Sequence, residues 1–320
     1  MGKTDIEAKI FDKGTITMDM FGFAFYRQFK YKMVTHARVF SLKPKFNISK
    51  RQGLFLVNSF CFMNKKFGYE NMCSWEKIKF EQIQLPVKNN EIDFDFMESF
   101  IEELEAKYVA DLEAKRIAEL SAYLTVSGLD DYELSDDEEN ALRNYPSLKW
   151  DSYNLENLFG KSTRGKRLKG DDRIAGTLPF VTAGEASEGI SAYISNNVEI
   201  FDKNTTTIDM FGSAKYRNYR YGADDHVAVV HTESVPMKAA IFLTSAIHKA
   251  AHTGKFNYGH NFYAKDADAL NIMLPTKEGK PDYSTMETLI SAVQKLVIKG
   301  VVRYTDRKIQ ATKDVVGKRD

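Results

Sequence analysis

The residues best suited to binding chemistry form a short cationic loop near the middle of the chain. Residues 160–170 read GKSTRGKRLKG, so five cations lie between the glycines at 160 and 170. Cations on a flexible loop suit the phosphates of a nucleic-acid backbone, and a plain solvated loop is the alternative. The expected phosphate contacts are Lys161, Arg164, Lys166, Arg167 and Lys169.

The same loop does not complete a nucleotide-hydrolysing motif. It approaches the pattern GxxxxGK[ST], but Arg167 stands where the magnesium-binding hydroxyl is needed. The sequence also has no GxGxxG after a predicted strand, no HExxH and no Asn/Asp-Pro-Pro-aromatic tetrad. Its six His and two Cys are scattered, so they predict no zinc site. We therefore expect no catalytic residue, metal or cofactor in this chain.

A duplicated module organises the rest of the sequence. Residues 10–27 (IFDKGTITMDMFGFAFYR) and 200–217 (IFDKNTTTIDMFGSAKYR) agree at 13 of 18 positions, at a constant offset of 190. The match continues to His36 with His226 and, at an offset of 189, to the ends of the copies. The period far exceeds the roughly 20–50 residues of stacked repeats, so a function in one copy is expected in both.

Each copy opens with a predicted strand and turn. Residues 15–20 alternate Thr or Asp with Ile or Met, which predicts a half-buried strand closed by a Phe-Gly turn, and residues 205–210 repeat it. Asp19 and Asp209 are interpreted as caps of these turns, with acceptance from a cytosine amino group as the alternative. The apolar runs 54–63 and 239–247 are predicted to be helices.

A second group of candidate binding residues lies around the strand of the second copy. Arg217 is the main candidate, because arginine donates two hydrogen bonds to guanine; a salt bridge to Asp209 or Asp202 is the alternative. In the first copy Phe23 and Phe25 replace Ser213 and Lys215. The expected base-edge or groove contacts are Thr182, Ser187, Ser213, Lys215, Tyr216 and Arg217, with Tyr26 and Arg27 in the first copy.

Two long helices are predicted, at about residues 94–124 and 284–309. Residues 91–139 hold 17 Asp and Glu against 3 Lys and Arg, whereas the remainder holds 42 basic residues against 27 acidic ones. Matching apolar stripes and opposite charge favour a coiled coil, and packing of each stripe on its own domain is the alternative. The stripes are Met97, Phe100, Ile101, Leu104, Tyr108, Leu112, Ile117, Leu120 and Leu124, and Met286, Ile290, Val293, Val297, Val301 and Tyr304.

Composition favours a cytoplasmic protein. No apolar run approaches the roughly 18 residues of a membrane helix, and no charged-then-apolar leader precedes the repeat. Cys61 and Cys73 both lie in the first copy and have no counterpart in the second, so a disulfide framework is not expected.

Four stretches together resemble the DNA-specificity subunits of type I restriction–modification systems and of some type II enzymes. They are residues 165–194 (GKRLKGDDRIAGTLPFVTAGEASEGISAYI), 207–217 (TIDMFGSAKYR), 221–230 (YGADDHVAVV) and 261–275 (NFYAKDADALNIMLP). Residues 93–114 (DFDFMESFIEELEAKYVADLEA) resemble the spacer helix of that family.

The resemblance implies an α+β protein in which two target-recognition domains of mixed α/β structure are separated by two long antiparallel spacer helices. Each domain reads one half of a split sequence in double-stranded DNA. The helices dock modification subunits, which carry the S-adenosylmethionine-dependent methyltransferase, and restriction subunits join to cleave. The chain itself is then non-catalytic. The implied segments are 1–90 (a truncated first recognition domain), 91–128 (spacer helix), 129–149 (acidic connector), 150–280 (second recognition domain) and 281–320 (second spacer helix).

One departure leaves a second function open. Residues 150–199 have no counterpart in the first copy, so its recognition domain lacks the basic loop and the TAGE turn. The alternative is a non-catalytic coiled-coil adaptor or inhibitor that docks modification subunits without reading a full DNA site.

Overall fold

The computed structural model describes residues 7–33 and 39–317, which leaves His36 outside the described part. The chain divides into two compact units. The first unit takes residues from Met1–Ser121 and Val302–Asp320, and the second is Ala122–Val301. Both contain helices and sheets, so the predicted α+β class is confirmed. Among the described residues, no helix has the length and apolar character to cross a membrane.

The first unit is built around an antiparallel sheet with strand β2 at its centre, between β3 and β5. Helix α1 covers one face of this sheet, where Ile16 packs with Leu56 and Met97. The elements up to the first long helix are β1 (Ile10–Phe11), β2 (Thr15–Asp19), β3 (Ala24–Arg27), β4 (Tyr31–Lys32), β5 (Val39–Leu42), α1 (Lys50–Ser59), α2 (Trp75–Ile78), β6 (Val87–Lys88), β7 (Glu91–Ile92) and α3 (Phe94–Ser127).

The second unit has three small sheets and a central helix. Its elements, up to the second long helix, are α4 (Asp136–Asn144), β8 (Trp150–Asn154), α5 (Leu155–Phe159), β9 (Thr163–Arg164), β10 (Ala175–Val181), β11 (Ile190–Ile194), β12 (Thr205–Asp209), β13 (Ala214–Arg217), β14 (Gly222–Ala223), β15 (Val227–Val230), α6 (Met237–Ala251), α7 (Ala264–Asp268), β16 (Asn271–Lys277), β17 (Lys280–Pro281) and α8 (Tyr283–Gly317).

The sheet β13-β12-β15-β9 of the second unit is covered on both faces. On one face Ile208 packs with Leu243 and other apolar residues of helix α6. On the other face Val229 packs with Tyr221 and Val181, which belong to or adjoin the sheet β11-β10-β14. Strands β2 and β12 were expected to be half-buried, and that expectation is wrong, because Thr15, Thr17, Thr205 and Thr207 on their polar faces are buried as well.

The Phe-Gly turn of the repeat has a steric cause. Gly212 has φ +83°, and a Cβ atom there would lie 2.5 Å from the carbonyl oxygen of Ala251 at the end of α6. Gly22 has φ +81°, and its Cβ would lie 2.8 Å from the carbonyl of Met63. Left-handed backbone and close approach both require glycine, so this turn fixes the distance from the strand to the end of α6 in the second copy and to the segment around Met63 in the first.

The strand pairing refines the alignment of the two copies. Val39 pairs with Asp19 in the first unit, and Val227 pairs with Asp209 in the second, so the offset at these strands is 188 rather than 190. The first copy therefore has two more residues between its paired strands than the second. His36 and His226 match at an offset of 190, and this match does not hold at the offset of 188 that the paired strands define.

The helix predictions are confirmed for 239–247 and for the two long helices, which exceed their predicted ends. The run 54–63 is helical in part, because α1 ends at Ser59 and Cys61–Lys65 form a 3-10 helix. Helix α3 stops at Gly128 (φ 60°), where the Leu129 N–H donates to the Leu124 carbonyl. Within the first unit, Lys313 Nζ lies 2.7 Å from Glu113 Oε1, and Arg116 Nη2 donates to Asp306 Oδ2 at 3.1 Å. Between these two contacts the residue number increases in α3 and decreases in α8, so the two helices run antiparallel there.

Only some residues of the predicted apolar stripes are buried. Met97 and Met286 are buried, and α8 buries Leu289, Ile298 and Val302 as well. The buried seam of α8 also uses a small residue, Ala292, so counting large apolar residues does not locate it. The exposed residues of the predicted stripes are Phe100, Leu104, Tyr108, Ile117, Val293, Val297, Val301 and Tyr304.

Candidate nucleic-acid interface

The cationic loop of residues 160–170 is exposed at its charges and anchored through its backbone. Strand β9 lies inside it and pairs with β15. Gly165 is buried, and a Cβ atom there would lie 1.6 Å from the carbonyl oxygen of Ala223. The expectation of a flexible loop is therefore wrong for this part, because a strand and a backbone contact hold it. The exposed cations are Lys161, Arg164, Lys166, Arg167 and Lys169.

A second loop, residues 182–189 (the 182–189 loop), connects β10 and β11. The Thr182 N–H donates to the Gly189 carbonyl at 2.8 Å and closes its base. Ser187 (φ 48°, ψ 38°) and Glu188 (φ 56°, ψ 25°) are consecutive left-handed residues with exposed side chains. Non-glycine residues in this conformation are strained, and such strain is concentrated at functional sites.

The polar faces of β12 and β13 lie beneath this loop. Thr205 pairs with Arg217 and Thr207 with Lys215, which puts all four side chains on one face of the sheet. Arg217 is buried and uses each of its three nitrogens: Nε donates to Thr207 Oγ1, Nη1 to the Tyr219 hydroxyl and Nη2 to the Glu188 carbonyl, each at 2.9 Å.

Asp209 holds the turn after β12 and also reaches the loop. Its Oδ1 accepts from the backbone N–H groups of Phe211 at 2.9 Å and Ser213 at 3.0 Å, and its Oδ2 accepts from Gly184 N–H at 3.3 Å. Asp19 accepts in the same way from Phe21 and Phe23. The interpretation of both aspartates as turn caps is confirmed.

Lys215 ties the 182–189 loop to the polar faces of β12 and β13, which form a platform beneath it. Its Nζ lies 3.1 Å from Glu185 Oε1 and 3.7 Å from Asp209 Oδ2, and it donates to Ser213 Oγ at 2.9 Å. The Ser213 hydroxyl lowers the pKa of Glu185; burial opposes this effect, and Lys215 adds to it. The loop is thus anchored through the Glu185 side chain and through the backbone of Gly184 and Glu188.

Most of the expected base-reading residues support the loop and do not face solvent. Ser213 and Arg217 are buried, and the Tyr216 hydroxyl donates to Asn204 Oδ1 at 2.8 Å. The expectation that the Arg217 fork faces a base is corrected, because its nitrogens are already used internally. The salt-bridge alternative is wrong too, since Lys215 pairs with Asp209 and Arg220 pairs with Asp202. Of the set in the second copy, Ser187 is exposed and Thr182 is half-buried.

The first copy keeps the Arg–Thr bond in different surroundings. Arg27 Nε donates to Thr17 Oγ1 at 2.9 Å, and the guanidinium lies 5.4 Å from the ring centre of Phe25. Tyr26 packs so closely on α1 that a Cβ atom at Gly53 would lie 2.4 Å from its ring. Phe23 and Phe25 are about half exposed, and the described residues of this unit hold no counterpart of the 182–189 loop.

Asp224, Asp225 and His226 lie close together before β15, with ligand atoms within 4.8 Å of one another. His226 Nδ1 lies 2.9 Å from Asp225 Oδ1. Burial, together with the neighbouring Asp225 carboxylate, raises the pKa of Asp224. The three side chains are half-buried, and the absence of a metal site in this chain stays a prediction.

Sequence reasoning missed three residues that join the platform to the 182–189 loop or support Arg217. Tyr219 and Glu188 complete the hydrogen bonding of Arg217, and Glu185 pairs with Lys215. One sequence signal was present, because Gly184 and Gly189 flank the strained residues. The Glu188 contact uses a main-chain carbonyl, which no side-chain pattern reveals.

The family described as "Type I restriction modification DNA specificity domain" matches residues 2–114 and 147–300. The chain belongs to this family. It is therefore a specificity subunit of a restriction–modification system, the subunit that directs recognition of the DNA sequence. The adaptor alternative is not favoured. Specificity subunits bind DNA and assemble with modification and restriction subunits in type I complexes.

The chain is also similar to individual relatives and solved structures. The specificity subunit S.BcgI of a type II restriction enzyme from Heyndrickxia coagulans is 23% identical over 273 residues, which are 84% of this chain and 74% of the relative. The type I S subunit from M. genitalium is 10% identical and aligns over 96% of this chain and 81% of its own, with a TM-score of 0.43. HsdS from Thermoanaerobacter tengcongensis is 10% identical and aligns over 96% and 76%, with a TM-score of 0.38.

Proposed function

We propose that the second unit reads one half of a split sequence in double-stranded DNA, with the 182–189 loop at the bases and the cationic loop on the phosphates. One observation carries the proposal: two adjacent residues hold both loops. Gly165 of the cationic loop packs on Ala223. The next residue, Asp224, donates its N–H at 2.9 Å to the carbonyl of Val181, directly before the 182–189 loop. The exposed cations and the strained loop are thus anchored side by side.

The chemistry of each loop suits its proposed role. Five exposed cations provide phosphate contacts that set position without reading sequence. The exposed tip of the 182–189 loop offers the Ser187 hydroxyl and the Glu188 carboxylate. Carboxylates accept from the cytosine amino group, and hydroxyls serve as donor or acceptor. The neighbouring cations offset the repulsion between this carboxylate and the phosphates.

The first unit is proposed to read the other half with a more apolar surface. Phe23 and Phe25 are exposed at the positions that align with Ser213 and Lys215. Apolar side chains contact the methyl group of thymine. Two copies with different side chains at matched positions suit a split site with unlike halves.

The chain is proposed to act without chemistry of its own, in the cytoplasm, as the reader for modification subunits that use S-adenosylmethionine and for restriction subunits that cleave. The exposed apolar stripes of the long helices are the proposed docking surfaces for modification subunits. On α3 the stripe repeats every fourth residue, from Phe96 through Phe100 and Leu104 to Tyr108, and on α8 it includes Val293 and Val297. Exposed apolar stripes of this kind mark protein interaction sites.

The test is selection from a random-sequence duplex library by the chain bound to its cognate modification subunits, at two salt concentrations. We expect enrichment of a split motif, with lower total binding but the same motif at the higher salt concentration. Enrichment of one continuous motif would contradict the two-reader account. Full complex formation without any enrichment would contradict sequence reading itself and favour the docking adaptor.

A further inference from the structure

We infer that Arg217 is a positioning residue whose buried guanidinium holds the 182–189 loop in the conformation that meets DNA. The inference rests on the proposed function for what the loop does. The contact between Arg217 and the loop is observed in the structure. The inference differs from the sequence-based expectation that Arg217 reads a guanine, because it places the side chain behind the reading surface.

The guanidinium is fixed on three sides. Thr207 Oγ1 on β12 accepts from Nε, the Tyr219 hydroxyl after β13 accepts from Nη1, and the Glu188 carbonyl in the loop accepts from Nη2, each at 2.9 Å. The side chain is 1% exposed. Because the donors of arginine form a rigid planar fork, fixing Nε on Thr207 and Nη1 on Tyr219 fixes where Nη2 meets the loop.

The loop conformation needs such a hold. Ser187 and Glu188 both have positive φ angles, which side chains with a Cβ atom rarely adopt. Strained backbone of this kind persists when the surroundings over-determine it. Gly189 follows with φ +80°, and a Cβ atom there would lie 2.8 Å from the Thr182 carbonyl and 3.8 Å from Arg217 Nη2. Glu188 and Gly189 therefore lie directly against the guanidinium.

Comparison with the first copy shows which contact of Arg217 is common to both copies and which is specific to the 182–189 loop. Arg27 makes the same Nε bond, to Thr17 at 2.9 Å. Its guanidinium lies over the rings of Phe25 and Tyr31, at 5.4 and 5.9 Å from their centres. The Arg–Thr bond is common to both copies, whereas the contact with a strained carbonyl is found in the second copy.

Arg217→Lys, made in the full chain bound to its modification subunits, tests the inference. Lysine keeps the charge but cannot reach three acceptors as a planar fork. We expect hydrogen exchange at the 182–189 amides to rise by about tenfold or more, since a charged hydrogen bond to the loop is lost. We expect the ratio of specific to non-specific DNA affinity to fall by a similar factor. Non-specific affinity and its salt dependence should stay unchanged, which a general loss of folding would not allow.

The matched control is Arg27→Lys, which removes the same Arg–Thr bond from the first copy and should leave exchange in the 182–189 loop unchanged. A milder variant is Tyr219→Phe, which deletes one acceptor of the guanidinium. It should shift both readouts in the same direction by a smaller factor, and it keeps the test valid if Arg217→Lys folds poorly.

Unchanged exchange in the loop for both Arg217→Lys and Tyr219→Phe would overturn the inference. Faster exchange with an unchanged affinity ratio would also overturn it. In that case Arg217 would hold the loop in the wild type, but the held conformation would not contribute to reading the DNA sequence. If the wild-type complex shows no sequence preference, the proposed function fails, and the exchange measurement still decides whether Arg217 holds the loop.

Discussion

Lys295 and Glu138 form an enclosed ion pair, with Nζ of Lys295 3.1 Å from Oε2 of Glu138 and both side chains about nine-tenths buried. The pair ties α4, in the acidic connector, to helix α8. Glu138 also completes a capping box with Ser135. Burial opposes ionisation of Glu138, but hydrogen bonds from Ser135, Ser291 and Lys295 lower its pKa below the usual range.

Lys295→Met should destabilise the second unit by about 1–3 kcal/mol, because it leaves a buried carboxylate short of a charged donor. Hydrogen exchange of the slowest amides in β12 would measure the free energy of unfolding. The matched control is Lys299→Met. It removes a contact with Glu133, whose side chain is 65% exposed, and should cost below about 1 kcal/mol. Equal losses for the two variants would contradict this account.

The stabilisation by Glu138 should disappear in acid. Its pKa is lowered in the folded protein, so its contribution is present above the unfolded pKa of about 4.3 and is lost as pH falls through the folded value. Urea unfolding of the wild type and Glu138→Gln from neutral pH downwards should show a gap that closes below about pH 4. A gap that widens as the pH falls would mean that the carboxyl is bound in its protonated form.

Gly212→Ala should cost about 2 kcal/mol or more, because it adds a Cβ atom against the Ala251 carbonyl in left-handed backbone. Thermal unfolding would measure the loss. Gly300→Ala is the comparison: Gly300 lies inside helix α8 with open space around its Cβ position. There alanine should stabilise by about 0.5–1 kcal/mol. A neutral Gly212→Ala would show that the turn does not fix the spacing of strand and helix.

Lys166→Ala with Arg167→Ala should reduce the slope of log affinity against log salt by about 2, because each phosphate contact contributes about 0.9. The selected DNA motif should stay the same. Lys277→Ala with Lys280→Ala removes two exposed cations from the β16–β17 hairpin and should leave the slope unchanged. Fluorescence titrations at four or more salt concentrations would provide the slopes. Equal slopes for the two double variants would remove the cationic loop from the interface.

Val297→Asp should weaken binding of modification subunits by at least about tenfold while the chain keeps its stability, because a carboxylate would be desolvated in the proposed docking surface. Val315→Asp is the control on the same helix, since Val297 and Val315 are 61% and 58% exposed. Sedimentation analysis of mixtures with the modification subunits would measure complex formation. If Val315→Asp alone weakens assembly, the docking surface lies elsewhere on the helix.

Sequence periodicity predicted where the helices and strands lie better than it predicted which of their faces are buried. Strands β2 and β12 and helix α6 follow from alternation and apolar runs, and the duplicated glycine marks the turn. The burial of Arg217 does not follow, because alternation gives the two faces of a strand and not what covers them. The cover comes from residues 175–194, which have no counterpart in the first copy. Distant tertiary packing therefore decided which predicted site residues face solvent.

Library selection by two complexes side by side decides whether the 182–189 loop reads DNA sequence: the wild type, and a variant with Ser187→Ala and Glu188→Gln at the tip of the loop. Both substitutions alter exposed side chains and leave the Glu188 carbonyl with Arg217. We expect the preferred bases to change within one half of the split motif and to stay the same in the other half. An unchanged motif in both halves, with assembly and affinity intact, would contradict the assignment of this loop as a reader of DNA sequence.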